Sequence, residues 1–163
     1  MLNISPLSRA FNRDDFDCGS ESLNLFLKTF AFQAQSQSKS RTYVLHSDET
    51  KRAILGFYTL VVCTVASDAL PEAFAKKYKT NMPGVNLARL GVNQEYQGNG
   101  YGAHLLSNAL RKVVELSEIA GAAACFVDAK EGARDFYLNY GFTPLPSDPN
   151  RLFLPIKTIK QLF

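Results

Sequence analysis

The sequence predicts a single α/β domain built on a mixed β-sheet, and three observations lead to this prediction. The second half of the chain alternates strands and helices in the order β-α-β-α-β, which favours parallel neighbouring strands. The first half contains two apolar runs separated by a polar turn, a pattern typical of an antiparallel hairpin. The chain has 163 residues, and this length suits one domain, residues 1–163, with a hydrophobic core of its own.

Composition and charge narrow the class of protein. Hydrophobic residues make up 46% and charged residues 20%, which is ordinary for a globular protein and excludes a disordered chain. The net charge of +3 is too small to predict or to exclude a nucleic-acid binder by itself. Three separated cysteines and two isolated histidines give no zinc-binding pattern, and free thiols suit the cytoplasm. The N-terminus lacks the apolar core of a signal peptide and no apolar run is long enough to span a bilayer, so we expect a cytoplasmic protein without membrane contact.

In the first half, the sequence predicts a helix, a loop, a hairpin and a second helix. Ser20 is a favoured N-cap residue for the first helix, and Pro71 suits the first turn of the second. The apolar residues that share the inner face of the first helix are Leu23, Phe26, Leu27, Phe30 and Ala34. The predicted bounds are 20–35 for the first helix, 33–40 for an exposed polar loop, 41–46 and 54–64 for the hairpin strands, and 70–78 for the second helix.

In the second half, glycines mark the ends of the predicted elements. Met82-Pro83-Gly84 is expected to break the chain before a mostly apolar strand, and Gly121 and Gly141 each close a helix. The predicted bounds are 85–92 for that strand, 102–120 for a long helix, 122–128 for a strand, 131–140 for a helix, and 142–145 with 151–156 for a final antiparallel pair.

Three glycines alternate at the start of the long helix, at positions Gly98, Gly100 and Gly102. Backbone without Cβ atoms can approach a ligand closely, and the free amides of a helix N-terminus favour an anion such as a pyrophosphate. The alternative is a glycine-rich turn that binds nothing. A Walker loop is not indicated because no Lys-Ser/Thr pair follows, and a Rossmann domain would need more strands than remain in the chain.

These residues resemble the acetyl-CoA loop of the GNAT acetyltransferases, which is written (Q/R)-x-x-G-x-(G/A). It stands here as Gln97-Gly98-Asn99-Gly100-Tyr101-Gly102, and a second motif of that family follows as Phe136-Tyr137-Leu138-Asn139-Tyr140-Gly141-Phe142. The resemblance implies the GNAT fold, with an antiparallel N-terminal hairpin, parallel central strands and helices on both faces of the sheet. It also implies acetyl-CoA as the acetyl donor, with no metal.

Over nearly the whole chain the sequence is similar to a narrower group, the TacT-like toxin acetyltransferases of type II toxin–antitoxin modules. This implies acetylation of the α-amino group of aminoacyl-tRNA, inhibition of translation, a ribbon-helix-helix antitoxin and a homodimer. Gly91, where the group more often has Ala, is expected to be tolerated because the backbone of that strand contacts the cofactor. The resembling segments are Phe16-Asp17-Cys18-Gly19, Ser40-Arg41-Thr42-Tyr43-Val44, Gly56-Phe57-Tyr58-Thr59-Leu60, Leu87-Ala88-Arg89-Leu90-Gly91-Val92 and Arg151-Leu152-Phe153-Leu154-Pro155.

Resemblance and chemistry together predict the donor side of the site. Tyr137 is expected to protonate the departing CoA thiolate, because a phenol with a pKa of about 10 can donate to a thiolate whose conjugate acid titrates near about 8.5. The alternatives are that Tyr137 only packs its helix on the sheet, or that Tyr140 is the acid. Backbone amides are expected to hold the thioester arm at Leu90, Gly91 and Val92, and the pyrophosphate at Gln97, Gly98, Asn99, Gly100, Tyr101 and Gly102.

The acceptor side is less specified by the sequence. No Asp or Glu lies in the strand 85–92 to act as a base, which favours an α-amine, titrating near about 7.7 to 8.0, over a lysine side chain. Arg89 is either a packed or ion-paired arginine or, as the resemblance implies, a contact to the tRNA acceptor end. Lys39, Arg41, Lys76, Lys77 and Lys79 are candidate phosphate contacts, or else solvated surface charges. Two other functions stay open: acetylation of a small amine or a protein N-terminus, and a non-catalytic acyl-CoA-binding module.

Overall fold

The computed structural model describes residues 1–129 and 132–163. Its strands form a seven-stranded mixed sheet in the order β1-β2-β3-β4-β5-β7-β6. The strands are β1 (Leu2–Pro6), β2 (Arg41–Ser47), β3 (Gly56–Ala66), β4 (Asn81–Val92), β5 (Ala124–Asp128), β6 (Thr143–Leu145) and β7 (Asp148–Pro155). The α-helices are α1 (Glu21–Leu25), α2 (Ala31–Ser36), α3 (Glu72–Lys77), α4 (Tyr101–Ile119), α5 (Arg134–Asn139) and α6 (Ile156–Lys160), with a π-helical turn at Phe26–Phe30 and 3₁₀ turns at Ser67–Ala69 and Gln94–Tyr96.

The chain divides into two compact units. The first comprises Met1–Val61 and Ala88–Ala109, and the second comprises Val62–Leu87 and Leu110–Phe163. Strands β3 and β4 and helix α4 each contribute residues to both units. That residues 1–163 form one domain stays a prediction.

The first unit contains the antiparallel part of the sheet. Strand β1 pairs with β2, which pairs with β3 so that Arg41 lies opposite Leu60 and Leu45 opposite Gly56. The predicted hairpin is therefore confirmed. Strand β1 was not expected, because its short sequence contains Asn3, Ser5 and Pro6, which favour strands only weakly. The core of this unit comprises Leu7, Phe16, Phe26, Leu27, Ala31, Val44, Ile54 and Phe57.

The first predicted helix is interrupted by a π turn. Its start is as predicted, since the Ser20 hydroxyl accepts a hydrogen bond from the Leu23 amide at 3.4 Å. The turn at Phe26–Phe30 shifts the phase of the inner face, because a π turn holds more residues than an α turn. Phe30 is therefore 52% exposed, contrary to prediction, and Ala31 is buried in its place. The predicted exposed loop is also shorter than expected, because α2 continues to Ser36.

The second unit contains the parallel pair. Strands β4 and β5 run parallel and β6 and β7 pair antiparallel, as the sequence predicts. Strand β7 also pairs antiparallel with β5, which the sequence does not predict. The predicted chain break at Met82-Pro83-Gly84 is wrong, because β4 begins at Asn81. The carbonyl of Pro83 accepts a hydrogen bond from the Ala123 amide at 2.8 Å. A Cβ on Gly84 would lie 2.5 Å from the Phe126 ring, so this strand requires a glycine where it passes the ring.

Helix α3 is shorter than predicted, α4 has the predicted length but begins one residue earlier, and α6 was not predicted. Helix α4 ends before Gly121 and α5 before Gly141, and both glycines have positive φ angles, of 86° and 93°. The predicted start of α5 at Glu131 lies outside the described residues. The buried core of this unit comprises Val65, Leu70, Met82, Ala124, Phe126, Leu145 and Phe153. In the two described ranges, none of the helices combines the length and the apolar character that a bilayer crossing requires.

Candidate active site

The glycine-rich segment before α4 holds two of its residues in a backbone conformation that favours glycine. Gly98 has a φ of 85° and Gly100 a φ of 79°, in the left-handed region that side chains disfavour. A Cβ built on either residue would meet nothing within 4 Å. The two glycines are therefore required by backbone conformation and not by crowding, and the space above them is open.

Two side chains of the loop hold its shape from within the protein. The Gln97 amide group donates hydrogen bonds to the carbonyls of Val92 at 2.9 Å and Cys18 at 3.3 Å. The Asn99 amide group donates to the Tyr96 carbonyl at 2.9 Å. The loop is thus fixed at the N-terminus of a 19-residue helix, where unpaired amides and the helix dipole favour an anion.

The end of β4 lies in the same unit as this loop. Gly91 is buried, and an added Cβ would lie 3.3 Å from the Cys18 sulfur and 3.5 Å from Leu23. The chain turns after this strand, where the Asn93 amide donates a hydrogen bond to the Leu55 carbonyl at 2.8 Å. An alanine at Gly91 would therefore need Cys18 to shift by a few tenths of an ångström, which gives a local reason for the glycine.

Arg89 packs its guanidinium on an aromatic ring. Its Cζ lies 3.6 Å from the centroid of the Phe26 ring, a cation–π contact. Burial lowers the pKa of Arg89. Arg89 was predicted either to pack against the protein or to contact the tRNA acceptor end. The structure shows the packing, and the tRNA contact stays a prediction.

Tyr137, in the second unit, is a buried phenol on α5. It is 7% exposed, and its ring packs edge-on against Phe136 and Phe142, at 5.1 and 5.5 Å between centroids. Burial raises the pKa of Tyr137, and the neighbouring Cys125 thiol raises it further. Tyr140, the rival phenol, is 39% exposed. The two tyrosines of the motif therefore differ sharply in their environment.

The predicted phosphate contacts fall into two groups. Lys76, Lys77 and Lys79 are exposed on and just after α3, in the second unit. Lys76 lies 3.5 Å from Glu72, an exposed ion pair that contributes little stability. Lys39 and Arg41 are exposed in the first unit, between α2 and the start of β2. The structure thus brings the three lysines together on one short segment.

The sequence did not predict one group of polar side chains in the second unit. It comprises Asn86 on β4, Asp128 on β5 and Arg151 on β7, and we call it the polar cluster. An Arg151 Nη1 atom lies 3.7 Å from an Asp128 carboxylate oxygen, and the Arg151 Cζ lies 5.6 Å from the Phe126 ring centroid. Among the described residues, the Asn86 side-chain oxygen and the Arg151 Nε are buried and have no hydrogen-bond partner. The available signal was Asn86, a polar residue between two buried apolar residues of β4.

The cysteines have the character of packed residues. Burial raises the pKa of all three thiols, and that of Cys125 to about 12, so each stays protonated near neutral pH. Within residues 1–129 and 132–163, no three His, Cys, Asp or Glu side chains are grouped so that they could hold a metal ion.

Comparison with protein families and relatives gives a consistent result. The family described as Acetyltransferase (GNAT) domain matches residues 38–144. A protein described as a probable toxin TacT, from Sinorhizobium fredii, is 32% identical over 98% of this chain and 93% of its own length. A tRNA-acetylating toxin from Mycobacterium tuberculosis is 32% identical over 99% of this chain and 98% of its own length.

Solved structures of similar proteins agree with these relatives. A Tyr-to-Phe mutant of KacT is 36% identical, covers 99% of each chain and superposes with a TM-score of 0.94. AtaT complexed with acetyl-methionyl-tRNAfMet is 36% identical, with a TM-score of 0.90 and coverage of 100% of this chain and 99% of AtaT. A Tyr-to-Phe mutant of AtaT, bound to acetyl-CoA and to the C-terminus of the antitoxin AtaR, is 36% identical, with a TM-score of 0.86 and coverage of 99% and 98%.

Proposed function

The chain belongs to the GNAT acetyltransferase family, and we propose from its relatives that it is a toxin that transfers acetyl from acetyl-CoA to the α-amino group of aminoacyl-tRNA. The observation that carries this function is the similarity to a tRNA-acetylating toxin over 99% of the chain. The likeness to AtaT, solved with an acetylated aminoacyl-tRNA, supports the same acceptor. Acetylation removes the nucleophilic amine, so the charged tRNA can no longer accept the growing peptide.

The glycine loop fits acetyl-CoA on its own geometry. The open space above Gly98 and Gly100, their positive φ angles and the start of α4 suit a pyrophosphate. We assign the pyrophosphate to the amides of Gln97, Gly98, Asn99, Gly100, Tyr101 and Gly102. The backbone of Leu90, Gly91 and Val92 is assigned to the pantetheine arm and the thioester carbonyl. Acetyl-CoA supplies an activated acyl group, and the role of the loop is to bind and orient it.

The transfer itself needs a neutral amine and one proton donor. The α-amine attacks the thioester carbonyl carbon, the new C–N bond replaces the C–S bond, and the nitrogen releases its extra proton to water. Tyr137 gives its hydroxyl proton to the departing thiolate and regains one from solvent. Burial raises the pKa of Tyr137, so the phenol is protonated near neutral pH and is available as the donor. Tyr140, on the surface, lacks this environment.

The remaining part of the acceptor is a polyanion, and we assign its phosphates to exposed basic residues. These are Lys39, Arg41, Lys76, Lys77 and Lys79, with Arg89 at the acceptor end. Each exposed lysine or arginine that meets a phosphate releases counterions, which gives binding its salt dependence. The cation–π contact with Phe26 would hold the Arg89 guanidinium in place for such a contact.

We also propose the setting in which the enzyme acts. A cognate antitoxin blocks it, as supported by the likeness to AtaT bound to the C-terminus of AtaR. We propose that the antitoxin contains a ribbon-helix-helix part that binds DNA, that the toxin is a homodimer, and that it acts in the cytoplasm, where charged tRNA is found.

A direct assay tests the function. Purified enzyme is incubated with acetyl-CoA and a mixture of charged tRNAs, which are then digested with RNase and analysed by mass spectrometry. We expect N-acetylaminoacyl-adenosine with the wild type and almost none with Tyr137→Phe. Expression without an antitoxin should arrest growth, and Tyr137→Phe should relieve the arrest. If charged tRNA stays unmodified while polyamines or peptide N-termini are acetylated, the toxin function is wrong.

A further inference from the structure

The polar cluster of Asn86, Asp128 and Arg151 lies on one face of the sheet in the second unit. Asn86 is the register partner of Phe126, and Asp128 is the register partner of Arg151. Because side chains alternate along a strand, Phe126 and Asp128 point to the same face, and their partners do too. The Arg151 guanidinium extends back over the Phe126 ring, which places it on the same side as the Asn86 amide group.

Two atoms of this cluster lack the partners that buried polar atoms normally have. Among the described residues, these are the Asn86 side-chain oxygen and the Arg151 Nε. A buried donor or acceptor without a partner is unfavourable, so native proteins rarely keep one without a reason. Together the two atoms offer one hydrogen-bond acceptor and one donor to a ligand.

The cluster borders solvent through two of its side chains, although the two unpartnered atoms are themselves buried. The Asp128 side chain is 63% exposed and that of Arg151 28% exposed. Their separation of 3.7 Å is longer than a hydrogen bond, so this ion pair leaves the guanidinium with N–H groups for a further partner. Asp128 also ends β5, and ligands of α/β proteins commonly bind beyond the carboxyl ends of strands.

The cluster and Tyr137 lie on opposite faces of β5. Tyr137 is close to Cys125, whose side chain points away from the face of Phe126. An acyl transfer needs its proton donor beside the leaving thiolate, and the amine adds to one face of the carbonyl plane. The acceptor therefore does not have to lie on the face of Tyr137, and the face of the polar cluster is the alternative.

We propose that the polar cluster binds the aminoacyl end of the acceptor, with the Arg151 Nε–H donating to its carbonyl oxygen and the Asn86 side-chain oxygen accepting from its α-amino group. This inference rests on the proposed function, whose acceptor is an α-amino ester. One donor and one acceptor match that group. A phosphate would leave the Asn86 oxygen unpaired and would be repelled by Asp128, so the cluster selects the aminoacyl group and not the RNA backbone.

Three ligands test the Arg151 contact and the Asn86 contact separately. The first is an aminoacyl-adenosine in which a stable amide replaces the ester, built with the amino acid that the wild type acetylates on tRNA. The second lacks the α-amino group, and the third has a methylene in place of the carbonyl. Their inhibition constants are measured with wild type, Asn86→Ala and Arg151→Met. Arg111→Met, an exposed arginine on α4, is the matched control.

We expect each cluster variant to weaken the complete ligand by about tenfold or more, the usual effect of losing one such hydrogen bond. Asn86→Ala should leave the ligand without the amine unaffected, and Arg151→Met should leave the ligand without the carbonyl unaffected. Acetyl-CoA affinity and melting temperature should stay near those of wild type and Arg111→Met. If Arg151→Met does not fold, Arg151→Lys keeps a cation beside Asp128 but has no Nε–H, and it should give the same pattern.

The outcomes distinguish this inference from the proposed function. If the variants bind all three ligands as the wild type does, while the wild type acetylates charged tRNA, the inference is overturned and the function stands. If each variant weakens all three ligands equally, the residues act on the fold and the inference is again overturned. If the wild type does not acetylate charged tRNA, the proposed function fails first, as the mass-spectrometric assay shows independently.

Discussion

Replacing Gly100 with valine should separate the anion-binding role of the loop from the cost of its unusual backbone. Helix α4 offers a matched control, because Gly121 follows its other end. The two glycines have φ angles of 79° and 86°, and a Cβ on either would meet nothing within 4 Å. Gly100→Val and Gly121→Val therefore impose the same kind of backbone strain in the same open surroundings. They differ in that only Gly100 belongs to the predicted acetyl-CoA loop.

The size of each effect follows from this comparison. A side chain in the left-handed region costs about 1 to 2 kcal/mol, which corresponds to a loss of about 2 to 8 °C in melting temperature for a protein of this size. Both variants should show this loss. Only Gly100→Val should also lose contacts to the pyrophosphate, at about 1.5 to 3 kcal/mol for each hydrogen bond to a charged group. Losing one such contact weakens acetyl-CoA binding by about 10- to 150-fold.

Calorimetric titration with acetyl-CoA and thermal unfolding of both variants measure the two quantities separately. We expect similar melting temperatures for Gly100→Val and Gly121→Val, and weak acetyl-CoA binding by Gly100→Val alone. Wild-type affinity in Gly100→Val would show that the loop is not the pyrophosphate site. Equally weak binding by both variants would show that strain in α4 is responsible.

Three further predictions concern the chemistry and the acceptor. Tyr137→Phe should lower kcat by about 100-fold or more while acetyl-CoA affinity holds, and Tyr140→Phe should stay near wild type; the reverse pattern would make Tyr140 the acid. With the stable amide analogue as acceptor, kcat/KM should rise with pH as the α-amine loses its proton. It should then stay level to about pH 10, because burial raises the pKa of Tyr137 above its ordinary value of about 10; a decline below that pH would exclude Tyr137. Changing Lys76, Lys77 and Lys79 to Gln should reduce the slope of log K for tRNA against log salt by about 2 to 3 and leave acetyl-CoA affinity unchanged. An unchanged slope would make these lysines solvated surface charges.

The elements that the sequence predicts well are those whose signals are local. The hairpin, the long helix α4 and its closing Gly121 follow from hydrophobic period and from helix-ending glycine. The start of β4 was predicted wrongly because proline and glycine usually interrupt strands. Here Gly84 is needed for the close passage of Phe126, a residue distant in sequence. The π turn in the first helix has no local signal either, since its effect on Phe30 depends on how the neighbouring turns pack.

The candidate site also has one part that local sequence predicts and one part that it does not. The glycine loop is contiguous in sequence, and its conformation depends on glycine at fixed spacing, so a motif identifies it. The polar cluster is assembled by strand register from β4, β5 and β7, and Asn86 and Arg151 are far apart in the chain. Their unpaired atoms become visible only when the neighbours that bury them are known. Periodicity alone would assign Asn86 to the interior of an apolar strand with no role.

This division has a chemical basis that bears on how such enzymes change acceptor. The donor is the same molecule in every turnover, and under the proposed assignment the backbone amides of the glycine loop bind it without depending on side-chain identity. The acceptor differs among charged tRNAs, and it is met by side chains, which single substitutions alter. Under the proposed assignment, a change at Asn86 alters the acceptor contact while the loop that binds acetyl-CoA, in the other unit, keeps its own hydrogen bonds through Gln97 and Asn99. Acceptor preference can therefore diverge between relatives that keep one donor site, and the strands β4 and β7 are where that divergence should be sought.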